Sequence, residues 1–188
     1  SQEKESSPKL LYVGRIVEWK RVHLAIEAVK KLIDSGFEKA TLDIIGPVSS
    51  EEYLIKLKQL GVDLKIENHI FFLGYKEHSE LPYYFQRANL FTLPSNKETF
   101  GMVMIEAMAC GTPVAGINCP GGPADVITNG ENGILTSPEN YTKEIVNFFK
   151  DIKNQDKISK QAIHKAISEY SIEATSKVLR KSVEDALT

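Results

Sequence analysis

Two glutamates, an arginine and a lysine are the residues whose types and spacing could do chemistry here. Glu98 and Glu106 are separated by seven residues in Glu98-Thr-Phe-Gly-Met-Val-Met-Ile-Glu106. Before them, Leu90-Phe-Thr-Leu93 is a short apolar run stopped by Pro94-Ser95, which reads as a buried strand ending in a loop. After that loop, Gly101 to Cys110 is rich in helix formers and ends at Gly111, a natural helix stop. Glu98 therefore belongs to the loop before a helix and Glu106 to the helix itself, roughly a turn and a half in. A carboxylate among Met, Val and Ile is costly to bury without partners, so Glu106 calls for donors. Sugar hydroxyls or open helix N–H groups would serve. Taken alone, the pair also reads as a helix-start acid and an exposed helix residue.

The cations lie in Val13-Gly14-Arg15-Ile-Val-Glu-Trp19-Lys20, a strand-to-helix loop. Gly14 lets a ligand approach the backbone, and the helix that follows adds partial positive charge. Arg15 can fork two oxygens while Lys20 acts as a point charge, which suits a diphosphate. A solvated surface loop is the other reading of this stretch alone.

The elements that must position these residues alternate. Strands are expected at Lys9–Gly14, Ala40–Gly46, Ile70–Gly74, Leu90–Leu93, Val114–Ile117 and residues 133–136. Helices are expected at Arg21–Ser35, at Ser50–Leu60 closed by Gly61, at Ser79–Ala88 with Pro82 in its first turn, at Gly101–Cys110 and at Pro123–Asn129. From Glu139 onward the chain reads as helical, in about three segments. The strands are continuous apolar runs, the pattern of a parallel sheet covered on both faces. The class is therefore α/β, a Rossmann-like doubly wound sheet of about six strands. Ligands in such sheets bind beyond the carboxyl ends of the strands. The loops there are Gly14–Lys20, Gly46–Ser49, Gly74–His78, Pro94–Gly101 and Asn118–Gly122, and the residues singled out fall in or just after them.

Composition narrows the function. The chain has 188 residues and a net charge of -2, with 26% of residues charged, which gives no reason to expect a nucleic-acid partner. Cys110 and Cys119 have no metal-ligand spacing and read as buried free thiols of a reduced compartment. No apolar run reaches the length of a membrane span and no signal peptide is visible, so a cytoplasmic setting is expected. The Gly-x-Gly-x-x-Gly fingerprint, the Walker loop and Asp-x-Asp are all missing, which argues against a nicotinamide dehydrogenase and gives no indication of metal-dependent chemistry. His23, His69, His78 and His164 show no nucleophile–base arrangement and read as ordinary residues.

Pro94-Ser-x-x-Glu98, Phe100-Gly101 and Glu106-Ala-Met-Ala-x-Gly-x-Pro-Val114 together resemble the signature of retaining glycosyltransferases of the GT-B fold, in the group called GT4. The resemblance covers about Lys9 to Val146 and fits the C-terminal, donor-binding half of that fold. It implies a nucleotide-sugar donor, UDP- or GDP-linked, no metal, and transfer with retention to a glycan or glycolipid acceptor. Glu106 would take the ribose hydroxyls and Glu98 those of the donor sugar. The N–H groups of Phe100, Gly101 and Met102 would face phosphate, beside Gly14. Arg15 and Lys20 would hold the diphosphate and act with Glu98 in catalysis. Phe72-Leu-Gly74-Tyr75-Lys76 matches the strand end that lies against the nucleobase, making Tyr75 and Lys76 liners. Pro120-Gly121-Gly122-Pro-Ala-Asp125 resembles the family's Gly-Gly loop; it reads equally as ligand contact or as a turn feeding a helix. The family's usual residue after the loop lysine is Gly, where this chain has Arg21.

On this resemblance residues 1–8 are a polar tail or linker remnant and residues 9–188 a nucleotide-sugar-binding domain. The acceptor half of the parent would be a further domain of the same polypeptide, able to bring it to the inner face of a membrane. Ile163, Ile167, Ile172 and Val178 are candidates for contact with that domain. A non-catalytic nucleotide-sugar-binding module and a GT-B-related epimerase are the alternatives.

Overall fold

A computed structural model describes residues 7–176. Residues 1–6 of the expected tail, and Val178, lie outside the described residues. Six short strands form one parallel sheet: β1 (Lys9–Val13), β2 (Thr41–Ile45), β3 (Ile70–Gly74), β4 (Leu90–Leu93), β5 (Val114–Ile117) and β6 (Gly133–Thr136). Their order across the sheet is β3-β2-β1-β4-β5-β6. Leu10 lies opposite both Leu42 and Leu90, which makes β1 central. All four residues of β4 and of β5 are buried, so a continuous apolar run is the pattern these strands require.

The helices cover both faces. On one, α1 (Val22–Asp34) packs against α2 (Glu51–Asp63) and α6 (Tyr141–Lys150). On the other, α4 (Met102–Ala109) packs against α3 (Leu81–Arg87) and α7 (Ile152–Tyr170). A single turn of helix, α5 (Pro123–Val126), follows β5. The strand order positions the site. From β1 the chain moves outward through β2 and β3, then returns to place β4 on the other side of β1. The loops after β1 and β4 therefore leave adjacent strands at the topological switch point, where sheets of this kind take their ligands.

Several expected boundaries move by a residue, and four of the differences are informative. Gly61 does not close α2; it lies inside the helix, packed against Glu67, and the helix runs on to Asp63. α1 starts at Val22, because Arg21 takes a left-handed backbone at φ 51 and ψ 39. The residue in the family's glycine position thus adopts the conformation a glycine would take, against the steric preference of its own Cβ. The expected helix at Ser79–Ala88 divides into a 3-10 turn, His78–Glu80, and α3, with Pro82 in the first turn of α3. α5 ends at Val126, since Ile127 is already extended.

Candidate functional site

The loop after β1 is shaped by a buried phenol. Tyr12 is fully buried and its hydroxyl donates to the Arg15 carbonyl at 2.7 Å, which turns the chain away from the strand. Burial pushes the Tyr12 phenol well above its ordinary pKa, and the nearby Glu98 pushes it the same way. The chain then forms a 3-10 turn, Glu18–Lys20, and Arg21 reverses into α1. This turn points Lys20 inward, where it is almost buried.

The loop after β4 meets it. The Asn96 N–H donates to the Trp19 carbonyl at 3.0 Å, and the Glu98 N–H donates to the Pro120 carbonyl at 3.1 Å. Lys20 Nζ then donates to Glu98 Oε1, with side-chain exposures of only 11% and 7%. The pair joins the loops that follow β1 and β4. The Gly-Gly loop is explained by close approach. A Cβ on Gly121 would stand 1.8 Å from the Glu98 carbonyl oxygen, and one on Gly122 would stand 2.1 Å from that of Phe100. Both glycines also have positive φ. Only glycine lets this loop lie under the Glu98 backbone.

Trp19 gathers charge. Lys20 Nζ lies 4.5 Å from a Trp19 ring centroid, Arg15 Cζ 5.4 Å and Lys97 Nζ 5.7 Å. Arg15 and Lys97 are exposed, and neither has a carboxylate partner among the described residues.

Glu106 belongs to a second cluster. It lies on the side of α4 that faces the loop after β3, where His78 Nε2 approaches its Oε1 at 3.3 Å. Below this pair is a cavity of about 200 Å³ with an apolar floor of Leu81, Pro82 and Phe85, closed by Cys110. Burial, then Glu106, pushes the Cys110 thiol up; burial, then Glu98, does the same to Cys119. α4 starts from Gly101, at φ 78, with no side-chain cap on its first N–H groups.

The structure therefore brings Arg15, Lys20 and Glu98 together with Gly14 at the root of their loop, and sets Glu106 apart with a different partner. Phe100 and Met102 are exposed at the start of α4, where the Phe100 ring meets Tyr170 edge-on at 6.0 Å. Tyr75 and Lys76 stand after β3. The Tyr75 hydroxyl donates to Glu77 at 3.3 Å and that carboxylate raises its pKa; among the described residues no hydrogen bond or ion pair joins Tyr75 or Lys76 to the Lys20–Glu98 pair. Sequence reasoning missed His78, Lys97 and Tyr12. Lys97 had a signal, a cation beside the loop glutamate; the other two had none, because their partners are distant in sequence or main-chain. Among the described residues no group of three or more His, Cys, Asp and Glu is placed to hold a metal ion. A separate cavity of about 220 Å³ lies between β6, α6 and α7; it is lined by Glu144 and Asp151 without a cation, so it is poorly suited to a diphosphate.

A family model described as Glycosyl transferases group 1 matches residues 1–168. The chain belongs to this family. It is 36% identical over 130 residues to a glycogen synthase of Mycobacterium tuberculosis, covering 69% of this chain and 30% of that protein. It is 29% identical over 181 residues to a D-inositol 3-phosphate glycosyltransferase of Corynebacterium glutamicum, covering 94% of this chain and 43% of the relative. This group 1 chain thus spans less than half the length of either relative. Its fold matches Anabaena HepE, solved in complex with UDP, with a TM-score of 0.84 at 23% identity over 95% of this chain and 49% of HepE. It also matches the C-terminal domain of the group 1 protein LpcC from Francisella tularensis, with a TM-score of 0.80 at 23% identity, covering 88% of this chain and 87% of that domain. The Rossmann-like sheet of this group 1 chain is the one found in GT-B C-terminal domains.

Proposed function

We propose that this chain is the donor-binding half of a retaining, GT4-type glycosyltransferase that moves a sugar from a UDP- or GDP-sugar to a glycan or glycolipid acceptor. The observation that carries the reading is the Lys20–Glu98 pair, which joins the two switch-point loops, with Arg15 over the adjacent Trp19 ring. Lys20 has three N–H donors and spends one on Glu98, leaving the others for a phosphoryl oxygen. A donor laid across the pair would have its diphosphate on the Lys20 and Arg15 side and its sugar hydroxyls on the Glu98 side. The bond that breaks then lies between a cation and an anion that are already fixed. The leaving diphosphate gains negative charge in the transition state, so the two cations act more strongly there than on the bound donor. They supply the charge for which other transferases use a metal.

Glu106 takes the ribose in this reading. One oxygen faces His78, and the half-buried carboxylate would take a hydroxyl pair with the rest of its acceptor capacity. Glu98 and Glu106 have separate partners and are not a carboxylate pair flanking one bond, as a glycosidase requires. Attack from the face of the leaving phosphate, with that phosphate taking the acceptor proton, is the mechanism that fits. The acceptor site, and with it turnover, belongs to a further domain of the parent, which Ile167 and Ile172 on the exposed side of the C-terminal helices would meet. Two unpaired thiols, Cys110 and Cys119, suit a reducing, cytoplasmic setting. Among the described residues no helix is long and apolar enough to cross a membrane. Contact with the inner membrane face would come through the further domain.

A binding cycle tests the assignment. Glu106→Ala should weaken the bare nucleoside diphosphate by about 1.5–3 kcal/mol, the value of charge-assisted hydrogen bonds, and should leave a 2′,3′-dideoxyribose analogue unaffected. Glu98→Ala frees Lys20, so bare nucleotide should bind at least as tightly while the preference for the sugar-bearing donor is lost. Equal weakening of bare nucleotide by both replacements would show the roles to be wrong.

A further inference from the structure

The charges around Trp19 do not balance a donor with the residues considered so far. Glu98 cancels Lys20, which leaves Arg15 as one net positive charge. A nucleotide sugar brings one negative charge on each of its two phosphoryl groups. The third cation is Lys97, on the loop from β4, 5.7 Å from the same ring that Arg15 approaches to 5.4 Å. Its neighbour Asn96 is bonded through its N–H to the Trp19 carbonyl, so the root of the Lys97 side chain is held against the loop that carries Arg15 and Lys20. Three like charges within about 6 Å of one indole repel each other, and only one of them has a carboxylate partner among the described residues. A dianion placed among them would relieve that repulsion.

We propose that Lys97 is a third cation for the donor diphosphate, reaching it from the loop after β4. This deepens the donor-binding reading and rests on it. When the bond between the anomeric carbon and the phosphate oxygen breaks, its electron pair stays on that oxygen. The acceptor hydroxyl oxygen bonds the carbon, and its proton goes to the same phosphate. Lys97 faces the charge that builds up on that leaving group before the proton arrives. The Trp19 ring holds the three cations close together without neutralising any of them.

Calorimetric titration of UDP and of GDP into this chain, and into Lys97→Gln and Lys97→Arg, tests the proposal, with the corresponding nucleosides as ligands that lack the phosphates. Lys97 is exposed, so Lys97→Gln should keep the unfolding midpoint. The expected result is about five- to tenfold weaker binding of the nucleoside diphosphate to Lys97→Gln, with a shallower salt dependence. Nucleoside binding should be unchanged, and Lys97→Arg should behave as wild type. Wild-type binding of the diphosphate by Lys97→Gln overturns the third cation and leaves the donor-binding reading standing; so does equal weakening of diphosphate and nucleoside. A wild-type chain that binds neither diphosphate brings down the donor-binding reading and this proposal together.

Discussion

Lys20→Met should cost stability as well as affinity, and the structure sets the size. Methionine keeps the buried stem but removes the cation, which strands the Glu98 carboxylate at 7% side-chain exposure. Removing one partner of a buried pair costs roughly 3–5 kcal/mol, because the other charge is left without compensation. Arg15 and Lys97 remain nearby on Trp19, so the lower end applies, about 3 kcal/mol. For a domain of this size each kcal/mol moves the melting temperature by about 2–4 °C, so a fall of roughly 6–12 °C is expected. Urea unfolding of wild type, Lys20→Met, Glu98→Gln and the double variant forms a cycle. The double variant should regain most of the loss, since neither charge is then buried alone. A Lys20→Met chain within about 0.5 kcal/mol of wild type, the range of an ordinary surface change, would show that the pair is solvated.

Three further outcomes follow from the same geometry. Arg21→Gly should stabilise by about 0.5–1 kcal/mol, the relief of a left-handed non-glycine residue less the entropy of the extra glycine in the unfolded chain, and a loss in urea unfolding would contradict this. Gly121→Ala should destabilise by at least about 2 kcal/mol and weaken binding of the sugar-bearing donor, because its Cβ meets the Glu98 carbonyl; unchanged donor binding would mean that the Gly-Gly loop does not hold Glu98. Burial lowers the His23 pKa in the folded protein, so the unfolded chain binds more protons near pH 6 and stability should fall as pH drops below about 6.5. His23→Gln should flatten that slope in unfolding measured from pH 5 to 8, and an unaltered slope would assign it elsewhere.

The sheet was legible because its central strands are buried on both sides, as Leu90–Leu93 is throughout; at the edge β3 keeps the apolar run although Phe71 is exposed. α4 was legible because Gly101 and Gly111 bracket it, and both have positive φ. Gly61 misled because a glycine does not have to stop a helix: it keeps helical backbone here, and α2 runs on to Asp63. The placement of the candidate residues was legible too: Arg15 and Lys20 after β1, Glu98 after β4 and Glu106 in α4. Their partners were not, since Lys20 and Glu98 are 78 residues apart and nothing local to either states that they meet. His78 is the sharpest case. It is 80% exposed on a loop and unremarkable in sequence, and only the return of the chain across the sheet brings it to Glu106. The role of Trp19 was not legible, because one of the three cations on its ring comes from the loop after β4.

The central claim is that the switch point between β1 and β4 takes a nucleoside diphosphate on its own cations. Calorimetric titration of UDP and GDP into the wild-type chain and Arg15→Ala, with EDTA present, tests it most directly. The account predicts saturable binding of at least one of the two nucleotides without divalent metal, weakened about tenfold or more in Arg15→Ala by loss of a charge-assisted contact. Binding that requires an added divalent ion, or that Arg15→Ala leaves untouched, would contradict it.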